Sequence, residues 1–215
     1  MIIAVDGPAA SGKGTIARAL ARHYGLPHLD TGLLYRAVAL TVQRMELDPE
    51  KEADAVAACD FDDALLADPG LRSDAIGQLA SIVSAHPLVR AALLQRQKRF
   101  ARQSGGAVLD GRDIGTVIAP DADAKLFVRA TPQIRAQRRH KELQGHGSTV
   151  SFDKVLADIR ARDARDSSRS TAPLVMAGDA ALLDTSFLSI DASVQKAVAL
   201  VEARRASAVS ATEGQ

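Results

Sequence analysis

The segment Gly7-Pro8-Ala9-Ala10-Ser11-Gly12-Lys13-Gly14-Thr15 constrains this chain more than any other. It follows a short apolar run, Ile2-Ile3-Ala4-Val5, closed by Asp6, and it precedes Ile16, Leu20 and Tyr24 at helical spacing. A buried parallel strand, a glycine loop and a helix, in that order, are the context in which a phosphate-binding loop works. The glycines let backbone N–H groups curl around a polyphosphate, and the helix presents the positive end of its dipole. Lys13 is then placed to reach the β- and γ-phosphates of ATP. The pattern usually has Ser or Thr directly after the lysine. Here Gly14 intervenes, and Thr15 becomes the candidate metal-holding hydroxyl.

The rest of the chain alternates in the same way. Short apolar runs at Leu26 to Leu29, Ala107-Val108-Leu109, Lys125-Leu126-Phe127-Val128 and Ala181-Leu182-Leu183 predict four more strands. Helical patterns lie between them, stopped or started by Gly25, His86-Pro87 and Thr131-Pro132. This alternation predicts an α/β fold of the P-loop NTPase type, a five-stranded parallel sheet with helices on both faces. Ligands of such sheets bind beyond the carboxyl ends of the strands. The clusters Gly7 to Thr15, Asp30-Thr31-Gly32 and Asp110-Gly111-Arg112-Asp113 should therefore share one cleft. Residues 47–70 are acidic and Ala-rich, broken at Asp48-Pro49 and Asp68-Pro69-Gly70, and read as a small helical insert.

Composition removes several classes. With 215 residues, of which 47% are apolar, the chain suits one domain with a mobile subdomain. Aromatics are 3% and Trp is absent, too few for the stacking platforms that bind single-stranded nucleic acid. A net charge of +1 gives no global pull toward nucleic acid or lipid. Cys59 is the one cysteine, which excludes an internal disulfide and a Cys-based zinc site. The amino-terminal residues lack signal-peptide character and no run approaches a membrane span, so a cytoplasmic enzyme, monomeric and acting on small molecules, is expected.

Positive charge matters locally. Phe152, Val155, Leu156 and Ile159 form an apolar stripe at i, i+3, i+4, i+7, and the same register continues as Arg162, Arg165, Asp166 and Arg169. A core face that turns basic points into a cleft, unless pairs such as Asp158–Arg162 and Arg162–Asp166 make it a solvated surface. Arg36 and Arg112 come from two other strand ends, and arginine's planar fork suits a second phosphate group. Two phosphate sites suggest transfer onto a phosphate. Such an acceptor has a pKa near ~6 and needs no general base. His23, His28, His86, His140 and His146 are scattered and read as ordinary surface or packing residues. A kinase acting on a hydroxyl stays open, with Asp30 or Asp113 as base, and so does a non-catalytic nucleotide-binding domain. A GTPase switch is weak, because its guanine-reading motif needs Asn and the chain has none.

The Lys13-Gly14-Thr15 form resembles that of nucleoside-monophosphate kinases. From Ile2 to Arg204 the chain resembles the bacterial cytidylate kinase family, through the phosphate loop, Asp30-Thr31-Gly32-Leu33-Leu34-Tyr35-Arg36, Asp110 to Thr116, and Arg162 to Arg169 with Ala172-Pro173-Leu174. The resemblance implies ATP-dependent phosphorylation of CMP or dCMP with Mg2+. Thr31, Tyr35, Arg36, Asp110 and Arg112 would bind the CMP ribose and phosphate end. Arg162, Asp166 and Arg169 would close over phosphates and sugar, with Lys13, Arg112, Arg162 and Arg169 catalytic. Ser81, Arg90 and Asp113 match the family's base-reading positions. Cytosine's amine needs acceptors, which Ser81 and Asp113 offer, and its N3 and O2 need the donor Arg90. The family also implies a core of about 1–30 and 85–205, a monophosphate-binding insert of about 31–84, a lid of about 144–166 and a frayed tail, 206–215. Its members typically carry a longer, strand-rich insert where 47–70 here is short.

Overall fold

A computed structural model describes residues 1–145 and 147–213, with side chains through residue 207. Five parallel strands form one sheet in the order β2-β3-β1-β4-β5: β1 Ile2–Asp6, β2 His28–Asp30, β3 Ala107–Gly111, β4 Ala124–Arg129 and β5 Ala181–Asp184. The eight α-helices among the described residues are α1 Lys13–Tyr24, α2 Thr31–Arg44, α3 Glu52–Ala57, α4 Asp74–Val83, α5 Pro87–Ala101, α6 Pro132–Gly145, α7 Phe152–Ser168 and α8 Ile190–Glu213. All five expected strands form, each within about two residues of its apolar run. Residues 47–70 hold α3 and turns of 3-10 helix, as their composition predicts. Among the described residues no helix is long and apolar enough to cross a membrane.

Alternation along β1 sorts its neighbours. Ile3 and Val5 face one side with Ile16, Leu20, Val108, Leu126, Val128 and Val201, under α1 and α8. Ala4 faces the other with Leu109, Ala101, Ile114 and Ile118, under α5 and a π-helical turn, Ile114–Ile118. A central strand with both faces covered has no room for polar side chains until its end. That is where Asp6 stands.

Local signals set the helix bounds. Asp30 caps α2 by accepting from the Gly32 N–H at 3.0 Å, and Ser73 and Ser151 cap α4 and α7 through the N–H groups of Ile76 and Lys154. Gly25 ends α1 in the left-handed conformation, φ 64°. Pro87 opens α5, where its missing N–H costs nothing. α8 continues through Ala206 to Glu213, so backbone expected to fray is helical there, and 214 and 215 lie outside the described residues. His146, in the expected break between α6 and α7, also lies outside them.

The insert has an apolar cluster of its own, in which Leu34, Val38 and Val42 of α2 meet Leu71, Ile76, Ala80, Val83 and Val89. The pair α6–α7 buries only Ala136, Val155 and Ile159 together. Leu109 is fully buried at the centre of β3. Leu109→Ala should lower unfolding free energy by about 2–5 kcal/mol in a urea titration, and a loss below about 1 kcal/mol would show that this face of the sheet repacks.

Candidate active site

Register brings the polar strand ends together. Asp6 pairs with Gly111 across β1 and β3, and Asp30 with Asp110 across β2 and β3. The loop after β1 must pass close to the end of β4: a Cβ at Gly7 would run into the carbonyl of Val128. Gly12 then turns into α1 at φ 91°, leaving Lys13 as its first residue. Lys13 Nζ lies 4.0 Å from Asp110 Oδ2, with the lysine side chain 14% exposed. Burial pulls its ammonium down to about 8, neighbouring Arg112 adds to this, and Asp110 and Asp30 oppose it. Burial and Asp110 together push the Asp30 carboxyl up. On the far side of Asp110, His28 Nε2 meets Oδ1 at 2.8 Å.

Asp6 builds the next wall. Its carboxylate accepts from the N–H groups of Ile114 (2.9 Å) and Gly115 (2.8 Å), which fixes the turn carrying Arg112 and Asp113. Burial raises Asp6 to about 6 despite those bonds. Arg112 Nε donates to Asp166 Oδ2 at 2.7 Å. Arg36, from α2, is held by the carbonyls of Leu71 (2.6 Å) and Ser73 (3.1 Å). Arg162, from α7, has a buried Nε without an acceptor, and burial and Arg112 lower its guanidinium to about 10.

These groups share one cleft of about 410 Å3, lined by Ala9, Ala10, Lys13, Arg36, Ser81, Arg112 and Arg162, with Arg139 and Arg165 beside them. The basic continuation of the α7 stripe therefore faces inward. Neither pair that would make it a solvated surface forms among the described residues. Asp158 takes Lys154 at 2.8 Å, and Asp166 takes Arg112 and, at 3.8 Å, Arg169.

Other expected site residues stand in this wall, behind it or away from it. Arg90 Nη2 donates to Asp113 Oδ2 at 2.5 Å, each side chain 6% exposed, and Nη1 donates to Ser84 O at 3.2 Å. Both were expected at base-reading positions; in the fold they also pair with each other, because opposite charges buried side by side satisfy each other. The Arg90 guanidinium also lies 5.4 Å from the ring centre of Tyr35. Ser81 Oγ accepts from Arg165 Nε at 3.2 Å. Thr31 Oγ1 donates to Asp110 O at 2.8 Å, tying α2 to β3. Arg169 Nη2 donates to Ala172 O at 2.9 Å, and its Nε is buried without an acceptor. Thr15 is exposed and lines a separate groove with Arg18, Arg22 and His28.

Sequence reasoning found the start of α6 at Thr131-Pro132 and missed the part its arginines play. Arg139 lines the cleft, pairs with Asp74 of α4 at 2.7 Å and with Glu142 at 2.9 Å, and lowers the pKa of Arg36. Arg135, 3% exposed, reaches the loop after β1. The run Arg135-Ala136-Gln137-Arg138-Arg139 was a usable signal, since an arginine run with one small apolar residue between cannot supply a core face.

A glycine loop on a central parallel strand, with one lysine and several arginines facing it across a single cleft, defines a P-loop phosphotransferase. The chain belongs to the cytidylate kinase family, whose model, described as "Cytidylate kinase", matches residues 3–203. It is similar to the cytidylate kinase of Xanthobacter autotrophicus (strain ATCC BAA-1158 / Py2), 60% identical over 96% of this chain and 99% of that one. It is also similar to that of Methylobacterium sp. (strain 4-46), 60% identical over 95% and 98%. Among solved structures, an uncharacterized protein from Eubacterium ventriosum ATCC 27560 shares the fold, with a TM-score of 0.54 at 15% identity over 94% of this chain and 98% of that one.

Lys13 carries a pH prediction. If it acts on phosphate, as the loop leads one to expect, it must be protonated, and its pKa near 8 places the loss of that proton within an assayable range. kcat/KM for ATP should fall above about pH 8, while the alkaline limb of kcat moves higher, because bound polyphosphate favours the charged lysine. Profiles flat to about pH 9.5 would contradict this.

Proposed function

We propose that this chain transfers the γ-phosphoryl group of ATP to CMP or dCMP, producing the diphosphate and ADP. The observation that carries the reading is the placing of Lys13, Arg36, Arg112 and Arg162 around one cleft. The loop from Gly7 to Thr15 receives the donor polyphosphate on its N–H groups, with Lys13 on the β- and γ-phosphates. Arg36 and Arg112 hold the acceptor phosphate, and Arg162 lies between the two tails, where charge on the transferring group is greatest. An acceptor oxygen attacks the γ-phosphorus in line, the bond from that phosphorus to the bridging oxygen breaks, and ADP leaves with the electron pair. No side chain need remove a proton, because the acceptor is already an anion at neutral pH.

Among the described residues no group of three or more His, Cys, Asp or Glu is placed to hold a metal ion. That suits Mg2+, which binds mainly to ATP phosphates and takes only one or two protein oxygens. Asp110 and Asp30, beside Lys13, are the hard oxygen donors nearest the loop, and the Thr15 hydroxyl opens on the neighbouring groove. When bound, Mg2+ neutralises charge on the β- and γ-oxygens.

Base choice follows from the buried pair. Asp113 uses Oδ2 for Arg90, and Oδ1 is the acceptor we assign to the cytosine amine, with Ser81 of the cleft wall as the second acceptor. Uracil would set a carbonyl against a carboxylate, at about 1–3 kcal/mol for each unpaired group. The insert 31–84 and the hairpin around 144–166 are the parts we expect to move over the substrates, each resting on its own apolar cluster.

ADP release should be measured with CMP, dCMP, UMP, AMP and shikimate as acceptors. Turnover is expected with the cytidine nucleotides, and turnover confined to shikimate would move the chemistry to a hydroxyl. Lys13→Ala should cut kcat by about 100-fold or more, and near-normal turnover would remove Lys13 from the transfer step. In Asp113→Ala the CMP-over-UMP ratio should narrow by about tenfold or more; an unchanged ratio would place base reading elsewhere.

A further inference from the structure

Of the three arginines that α6 places within two turns, Arg139 faces the cleft, while Arg135 and Arg138 grip the loop after β1 through its carbonyls. Arg135 Nε donates to Ala130 O (2.9 Å) at the end of β4, and Nη1 donates to Ala9 O (3.2 Å). The same guanidinium forks onto Asp163 of α7, Nη1 to Oδ1 at 2.9 Å and Nη2 to Oδ2 at 2.6 Å. Arg138 Nη1 donates to Ser11 O at 3.3 Å and Nη2 to Thr185 O at 2.6 Å.

Peptide geometry turns these grips into a statement about anion binding. In a trans peptide the carbonyl and the following N–H point in opposite directions, and no peptide among the described residues is cis. Drawing the carbonyls of Ala9 and Ser11 toward α6 therefore aims the N–H groups of Ala10 and Gly12 the other way. Ala10 sits at φ 58°, a conformation that an alanine keeps only where its surroundings over-determine it. The arginine holding the preceding carbonyl supplies that constraint. Through Asp163, adjacent to Arg162 on α7, the same side chain also sets the rotation of the helix that points Arg162 at the transferring group.

We propose that Arg135 is a positioning residue for phosphoryl transfer, joining the phosphate loop that binds the donor to the arginine helix that acts on the transferred group. The inference rests on the proposed use of the loop for ATP, and not on which monophosphate accepts.

Arg135→Lys keeps the charge but cannot fork onto Asp163 while holding two carbonyls. ATP affinity, titrated without acceptor, should fall about tenfold and kcat about 100-fold, with KM for CMP within about threefold. Asp163→Asn leaves the Ala9 contact in place, so ATP affinity should stay within about threefold while kcat falls about tenfold. The double variant should be no slower than Arg135→Lys alone, since both act through one link. Normal ATP affinity and kcat in Arg135→Lys would overturn the proposal. So would equal losses for ATP and CMP that track a lowered melting temperature, or fully additive effects of the two substitutions. If the unaltered chain binds ATP but phosphorylates no cytidine nucleotide, the acceptor reading fails and the titration still decides the role of Arg135.

Discussion

Repulsion among clustered cations is the constraint around which the catalytic end is built. Beyond the effect of burial, Arg112 and Arg162 lower the proton affinity of Lys13, Arg112 and Arg36 lower that of Arg162, and Arg139 lowers that of Arg36, while Arg112 itself is raised by Asp166. Two like charges about 6 Å apart at an effective dielectric of about 20 repel by roughly 3 kcal/mol. The fold offsets this with fixed partners. Asp166 takes Arg112, Asp110 stands by Lys13, and backbone carbonyls hold Arg36. The carboxylates do not neutralise the cluster. Its remaining charge is complementary to phosphate, and on the proposed use of the cleft the arrival of two phosphate tails would turn repulsion into attraction. Because the side chains are anchored before the substrates arrive, little reorganisation is left for the moment of transfer.

That anchoring explains which parts of the site were legible in the sequence. The phosphate loop, the strand ends and the Arg162 stripe are periodic or punctuated features, and period and punctuation are what a sequence displays. Arg36 and Arg112 followed from position alone, since carboxyl ends of neighbouring parallel strands must lie close, and Arg162 followed from the register of its helix. The pairing of Arg90 with Asp113 could not be read that way. Two residues far apart in the chain, each suitable for a ligand, give no sign that they will neutralise each other until the packing is known. The family resemblance named the positions and was silent about the bond between them. Thr15 differs again, for a motif assigns its hydroxyl a role, and in the fold Thr15 lines a neighbouring groove.

The fold itself was more legible than its bounds. Apolar runs of three to five residues between glycines and aspartates mark buried parallel strands, and all five were found. The amino-terminal half of β2 was overextended: Leu26 and Pro27 lie before the ladder, and only His28 to Asp30 pair with β3. A strand of three residues at a sheet edge is too short for its pattern to show where pairing begins. The tail from Ala206, expected to fray beyond a helix marked by Val194, Val198 and Val201, erred the other way. Its small residues gave no apolar stripe, yet alanine favours helix without one, and the backbone stays helical to Glu213.

Cohesion is unevenly distributed, and that distribution has a mechanical meaning. The sheet faces are packed by long apolar side chains, and the insert has a cluster of its own. The α6–α7 pair, which carries Arg135, Arg139 and Arg162, rests on three buried apolar residues. Elements with so few apolar contacts open at low free-energy cost. The helix bearing Arg162 is thus lightly packed, with Leu143, Val150, Phe152 and Leu156 only partly buried beside those three, and polar links hold it: Arg135 with Asp163, and Arg112 with Asp166. Polar links can exchange partners with little change in energy, whereas an interdigitated apolar face cannot slide without losing contacts. For the opening proposed for this hairpin, the forked Arg135–Asp163 pair, which accepts a narrow range of orientations, is what would return it to one geometry. Weak apolar packing and directional ion pairing are therefore complementary requirements of the motion proposed.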